Sequence, residues 1–308
     1  MTLTELRYVV AIARHRHFAH AAEACFVSQP TLSVAVRKLE EELNVRLFER
    51  SRSEVLITPI GEAIVRQAEL VLQEAAQIID IADAAQDPLG STLRLGVIYT
   101  IGPYLVPHLI PALKTVAPKL NLIVRENFTD QLAEELVHGQ LDIAIMSLPF
   151  SHPRLVSRPL YDEPFHVALP ASHPLAKRKR IPAERLDDER LLLLGARNCF
   201  REQVIEICPS CIDTRDRTPD DIQSMLENSS LETICQMGAA GAGVTVLPAT
   251  TRLTEPLGNQ LAIRRFAKPE PFRSVAAFYR RGFARPQLVQ TLAEAIRQTK
   301  LAEVQMMK

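Results

Sequence analysis

From Leu3 to about Ile57, apolar residues recur three and four apart in short runs: Leu6, Val9, Val10 and Ala13, then Ala21, Ala22 and Cys25, then Leu32, Val36, Leu39 and Leu43. That spacing places each run on one helix face, so three short helices are predicted. Phe26, Val27 and Ser28 interrupt the second run, and Ser28-Gln29-Pro30-Thr31 supplies an N-cap with proline in the first turn of the third helix. Two helices joined by so short a turn define a helix-turn-helix. Glu54 to Ile57 reads as a wing strand, and Pro59 opens the next helix.

That helix, from about Pro59 to Ala85, is the longest in the chain, about 40 Å at 1.5 Å per residue. Ile64, Val71, Ile78 and Ala85 fall seven apart, and Ala68, Ala75 and Ala82 form a second seven-spaced lane. A seam sustained over three heptads, with one lane of small residues, predicts pairing with a helix of a second chain; packing on the helix's own domain is the alternative. Gln86-Asp87-Pro88-Leu89-Gly90 is a linker. From Leu93 short apolar strands alternate with helices: LRLGVI, a helix from about Tyr104, NLIVRE, a helix from about Gln131, and LDIAIM. A second series runs FHVALP, LLLLG, a helix near Cys199, a helix over Leu231 to Met237, and GVTVLP, before FRSVAAFY and a C-terminal helix over Leu288 to Ile296. The expected architecture is a mainly α winged helix-turn-helix at 1–58, a linker helix and hinge at 59–90, and a two-lobed α/β domain at 91–308. Lobe I takes about 91–162 and 268–308, and lobe II about 163–267, with the shift between them near Leu160 to Pro164.

The 308 residues allow about two domains. Lysine plus arginine and aspartate plus glutamate each total 36, so there is no global basic field, and any nucleic-acid partner is bound locally. Through Thr58 there are 8 basic and 7 acidic residues, so charge alone does not identify a DNA-binding segment. No apolar run approaches the ~18 residues of a membrane span. Glu5 and Arg7, with no small-residue cleavage site, argue against a secretory signal. A cytoplasmic, reducing setting follows, in which the five cysteines default to thiols.

In a helix-turn-helix the second helix enters the major groove with its N-terminal residues at base edges, while neighbouring basic residues pair with phosphates. Here Gln29, Pro30, Thr31 and Ser33 would enter; Gln29 can hydrogen-bond adenine, and Thr31 can offer a methyl to thymine. Arg37, Lys38, Arg50 and Arg52 would meet the backbone, although a charged pair such as Arg37 and Lys38 is more often a solvated helix face. The segment AAEACFVSQPTLSVAVRKLEEELNVRLFER resembles the winged helix-turn-helix of LysR-type transcriptional regulators. The long helix and the two-lobed remainder resemble that family's dimerising linker helix and periplasmic-binding-protein-like effector domain. The resemblance implies a homodimer or homotetramer on a double-stranded DNA operator, acting with RNA polymerase, without enzyme activity, cofactor or membrane attachment.

Asn198 is placed to cap a helix in NCFREQVIEIC, which puts Cys199 in its first turn, where the helix dipole, free amides and Arg201 favour a thiolate. A buried cysteine acting as a small hydrophobe is the plainer reading, and it suits Cys25 and Cys235. Along an intact helix Cys199 and Cys208 stand about 13 Å apart, against about 5.5 Å in a disulfide, so a bond between them demands unwinding. Attack of peroxide on a thiolate gives a sulfenic acid, which a second thiol captures. NCFREQVIEIC, together with GVIYTIGPYLVPHLIP, ENFTDQL, SSLETI, GVTVLP and KPEPFRS, resembles the hydrogen-peroxide-sensing subgroup of the LysR family. That resemblance implies oxidation of Cys199 by hydrogen peroxide, a disulfide with Cys208, and a thiol reductant that resets it. It also implies a peroxide pocket of Thr100, Thr129 and Asn198 supported by Arg273. Hydroxyls at strand ends are common helix caps, so Thr100 and Thr129 carry little by themselves. Asn198 stands where relatives often carry histidine, and the long stretch from Pro209 to Leu226 holds Cys211, a competitor for Cys208.

Cys208-Pro-Ser-Cys211 is a lone C-x-x-C, and His15, His17 and His20 lack the companion ligands of a metal site, so no metal is expected. There is no G-x-S-x-G, H-E-x-x-H or P-loop. Gly238-Ala-Ala-Gly-Ala-Gly243 precedes a strand, as a helix cap and turn do, rather than joining strand to helix as a dinucleotide fingerprint does. Two rival readings stay open: a regulator of the same family whose cleft takes a small organic anion, and a thiol peroxidase that uses Cys199 catalytically.

Overall fold

A computed structural model of the chain describes residues 1–50, 55–86, 90, 92–209, 229–251 and 257–307. The chain divides into two compact units, Met1–Gln86 and Asp87–Lys308.

In the first unit, α1 (Leu3–His15) opens with a capping box: Thr2 Oγ1 accepts from the Glu5 amide while the Glu5 carboxylate accepts from the Thr2 amide. α2 (Phe18–Ala24) and α3 (Gln29–Leu43) follow, and the turn between them holds Phe26 at φ 56°. Ser28 caps α3, its Oγ accepting from the Thr31 amide at 3.3 Å. β1 (Phe48–Arg50) and β2 (Val55–Ile57) pair antiparallel as the wing. The buried Glu40 carboxylate ties α3 to this wing by accepting from the amides of Leu47 at 2.7 Å and Phe48 at 3.3 Å. Val9, Ile12, Ala21, Leu32, Leu39 and Leu47 are wholly buried at the centre.

α4 (Pro59–Gln86) has the predicted length but divides the predicted seam in two. Ala68 is buried, and Ile64 and Val71 pack on the unit's own core, so the first half of the helix is covered within the chain. Ile78, 68% exposed, and its neighbour Ile79 are not covered within the chain. The side chain of Ala85 lies outside those described.

The second unit runs through β3 (Thr92–Ile98), α5 (Gly102–Val116), β4 (Asn121–Asn127), α6 (Thr129–Val137), β5 (Ile143–Ser147) and β6 (Leu155–Pro170). It continues with β7 (Arg180–Ile181), α7 (Cys199–Ile207), α8 (Leu231–Ala239), β8 (Thr245–Pro248), α9 (Leu257–Gln260) and β9 (Leu261–Phe266). β10 (Phe272–Arg280), α10 (Pro286–Gln298) and β11 (Gln305–Met306) complete it. β3 pairs in parallel with β4 and β5, the arrangement that helical crossovers such as α5 and α6 permit. β6 is shared by two cores: its first half pairs antiparallel with β10, its second with β8 and β9. The first core gathers Leu95, Leu109, Leu132, Ile145, Phe278 and Leu292, so β10 and α10 return to it. The second gathers Val167, Ile181, Phe200, Ile234, Val246 and Phe266.

One sequence expectation needs correction. LLLLG forms no strand: Leu191 makes an isolated bridge with Val244, and Leu192 to Leu194 are buried without a ladder. The shift expected near Leu160 to Pro164 lies within β6, whose pairing passes from β10, as far as Pro164, to β8, from Phe165. Pro159 is accommodated there beside a β-bulge, where the register with β10 slips between Val275 and Ala276. Among the described residues no helix is long and apolar enough to cross a membrane.

Candidate functional site

Two regions carry the candidate chemistry, one in each unit. On α3 the buried Leu32, Val36 and Leu39 fix the inward face, and Gln29, Pro30, Thr31, Val34, Arg37 and Lys38 are exposed. Ser33 lies half-buried on the flank. Thr31 Oγ1 sits 2.8 Å from Ser28 Oγ, so its hydroxyl is engaged within the protein. The side chain of Arg50 and all of Arg52 lie outside the described residues. The His17 and His20 rings stack 4.4 Å apart between centroids, and the described residues hold no cluster able to ligate a metal.

In the second unit Cys199 is the first residue of α7, free, half-buried and packed against the first core, although α7 also contributes Phe200 and Val204 to the second. Asn198 occupies the N-cap position, but its side chain makes no capping bond; its Nδ2 lies 3.5 Å from the Gly195 carbonyl instead. One turn beyond Cys199, Gln203 Nε2 donates to the Leu148 carbonyl at 3.0 Å, fastening α7 to the segment that follows β5. Gln203 Oε1, Thr129 Oγ1 and Ser147 Oγ are buried without a hydrogen-bond partner among the described residues. Buried polar atoms left so are costly unless a water or another small polar molecule meets them. Of these three only Thr129 is among the residues that the sequence singles out; for Gln203 the available signal is its i, i+4 spacing from Cys199.

Thr100 is held by the fully buried Arg273. Nη1 donates to Thr100 Oγ1 and Nη2 to the Thr100 carbonyl, each at 2.9 Å. Arg273 Nε donates to Glu163 Oε2 at 2.7 Å, and Glu163 Oε1 accepts from the amide of Thr250 at 2.9 Å and from its hydroxyl. The guanidinium lies 5.5 Å from the Phe200 ring centroid, so one cation joins β10, β6, the turn after β3 and α7. Thr100 and Asn198 also line a cavity of about 390 Å³ with Tyr99, Phe128, Glu126 and Glu232; Thr129, Cys199 and Arg273 do not line it. Gly102 lets Glu126 in, because a Cβ there would stand 2.4 Å from Glu126 Oε1. Burial and the neighbouring Glu232 push the Glu126 carboxyl above its usual range. Arg197 lies over the Phe128 ring at 4.4 Å, and Tyr99 meets that ring edge-on.

The cysteines differ in kind. Burial raises the thiols of Cys25 and Cys235, that of Cys235 to about 12 with help from Glu232, so neither supplies a thiolate at neutral pH. Cys208 ends α7, is buried and is disulfide-bonded, with its sulfur 3.2 Å from Asp187 Oδ1. Cys199 is free, so the Cys199–Cys208 bond is not the one present. Cys211 lies outside the described residues.

This combination, a winged helix-turn-helix followed by a two-core α/β domain, matches two family models. Residues 3–62 match the bacterial regulatory helix-turn-helix protein, lysR family, and residues 86–300 the LysR substrate binding domain. The chain belongs to the LysR family. It is 39% identical over 297 residues to the DNA-binding transcriptional dual regulator OxyR of Escherichia coli K12, covering 96% of this chain and 95% of that one. It is 34% identical to a hydrogen peroxide-inducible genes activator of Haemophilus influenzae, covering 96% of each. Among solved structures it is similar to full-length Pseudomonas aeruginosa OxyR carrying a cysteine-to-aspartate substitution. The TM-score is 0.77 at 48% identity, over 98% of this chain and 100% of that one. It is also similar to a hydrogen-peroxide-bound mutant of Corynebacterium glutamicum OxyR, with a TM-score of 0.62 at 32% identity, over 96% and 92% of the two chains.

Proposed function

We propose that this protein is a cytoplasmic transcriptional regulator that reads a DNA operator through α3 as a homodimer or homotetramer and responds to hydrogen peroxide through Cys199. The observation that carries the redox reading is the setting of Cys199. It is a free sulfur at the first position of a helix, on an element that also carries Gln203, in a domain whose Thr129, Ser147 and Gln203 hold unpartnered buried polar atoms. The relatives' names supply the oxidant. The Cys199 thiolate attacks one peroxide oxygen; the O–O bond breaks, Cys199 becomes a sulfenic acid, and hydroxide leaves and is protonated to water. Thr129 and the Arg273-held Thr100 would position the peroxide. The Cys208 thiolate then attacks the sulfenic sulfur, the S–O bond breaks, and hydroxide leaves and is protonated to water as the disulfide forms. That step requires α7 to unwind and release the Gln203 bond to Leu148. It also requires Cys208 as a thiol, so the disulfide that holds it here must be opened first, the task of a thiol reductant. The changed regulatory domain would alter how the DNA-bound oligomer engages RNA polymerase.

The rival effector reading is disfavoured by the same domain: a small organic anion in the 390 Å³ cavity would meet Glu126 and Glu232. The test is stoichiometric. A sensor without added reductant should consume about one peroxide per free Cys199, and Cys199→Ser should consume none. Sustained turnover with a dithiol, without specific DNA binding, identifies a thiol peroxidase instead.

A further inference from the structure

Val34 has no task in the fold of the first unit. At about 100° per residue it stands about 160° around the α3 axis from Leu32 and from Val36, and about 140° from Leu39, opposite the buried face. It is 64% exposed, whereas those three are buried. A single exposed apolar side chain needs no explanation by itself. This one occupies the middle of the helix face that presents Thr31 before it and Arg37 and Lys38 after it, all exposed. Valine is also a poorer helix former than alanine or lysine, which suit a solvated position. Ser33, the adjacent candidate for base contact, lies half-buried beside Phe18 and Val36, so the centre of the outward face falls to Val34. A valine side chain offers two methyl groups and no hydrogen-bonding atom, so it can distinguish only an apolar feature of DNA. In the major groove that feature is the C5-methyl of thymine.

We propose that Val34 reads sequence by packing against a thymine methyl in each half-site. The inference rests on the DNA-reading part of the proposed function and adds a specificity residue to it. In the test, the full-length protein enriches duplexes from a random-sequence pool, and each thymine of the tightest-binding duplex is replaced in turn by deoxyuridine, which lacks only the methyl. One thymine per half-site should lower wild-type affinity about fourfold when replaced, and about 15-fold when both half-sites are changed. Val34→Ala should bind the thymine and deoxyuridine duplexes equally at that position, where the wild type tells them apart. Alanine at an exposed helix position favours folding, and a melting curve checks it. A wild type indifferent to deoxyuridine at every position overturns the proposal. So does a Val34→Ala protein that is weaker on all duplexes by one common factor. A wild type that enriches no sequence overturns the DNA reading itself, and that outcome is distinguishable because no duplex is recovered.

Discussion

Replacing Arg273 by leucine tests the electrostatic frame of the second unit. The Arg273 and Glu163 side chains have no solvent exposure, and the guanidinium makes the ion pair with Glu163 and both bonds to Thr100. Arg273→Leu leaves the Glu163 carboxylate buried with only the Thr250 donors and leaves the Thr100 carbonyl without this donor. Removing one partner of a buried pair costs about 3–5 kcal/mol, far more than a surface pair contributes. For a unit of this size 1 kcal/mol corresponds to about 2–4 °C, so the unit should melt roughly 10 °C lower. Scanning calorimetry of the full-length protein measures the shift. The double variant Glu163→Leu with Arg273→Leu should recover part of it, because no uncompensated charge remains. A single variant melting within about 2 °C of the wild type, or a double variant no more stable than the single, refutes the reasoning.

Glu40→Ala removes the acceptor of the Leu47 and Phe48 amides and should destabilise the first unit by about 2–3 kcal/mol, read as a lower urea midpoint. Phe26→Gly should stabilise the same unit by about 1 kcal/mol. Phe26 is 96% exposed, so little packing is lost, and its φ of 56° suits glycine. His166 is held below its ordinary 6.5 chiefly by burial, against the pull of Glu303 at 3.4 Å. The unfolded chain therefore takes up that proton first. Its contribution to stability is complete above 6.5 and declines as pH falls below it, so between about pH 7 and pH 5.5 the wild type should lose more stability than His166→Leu in urea titrations.

The helical periodicity of the first unit was legible because each run alternates a buried face with polar positions, and Ser28-Gln29-Pro30 marks the start of α3 chemically. α4 was half legible: a seven-residue repeat reads the same whether Ile64 and Ala68 meet a second chain or their own domain, and here they meet their own. β6 was obscured because Pro159 and Pro164 look like breaks, and only the pairing with β10 and its bulge shows how a strand carries them. Cys199, Thr100, Thr129 and Arg273 were suggested by motif resemblance, but the bonds that join Thr100 to Arg273, 173 positions apart, have no local signature. Asn198 was placed correctly at the helix start but given the wrong bond, since a capping residue type does not fix where its side chain points.

The central claim is most directly tested by mapping disulfides by mass spectrometry before and after low hydrogen peroxide, with a DNA footprint on the same reduced-then-oxidised samples. The account predicts that Cys199 is oxidised first and recovered in a bond to Cys208, while Cys25 and Cys235 stay thiols and the footprint changes in step. A Cys199 that remains a free thiol at peroxide levels that alter the footprint would contradict it.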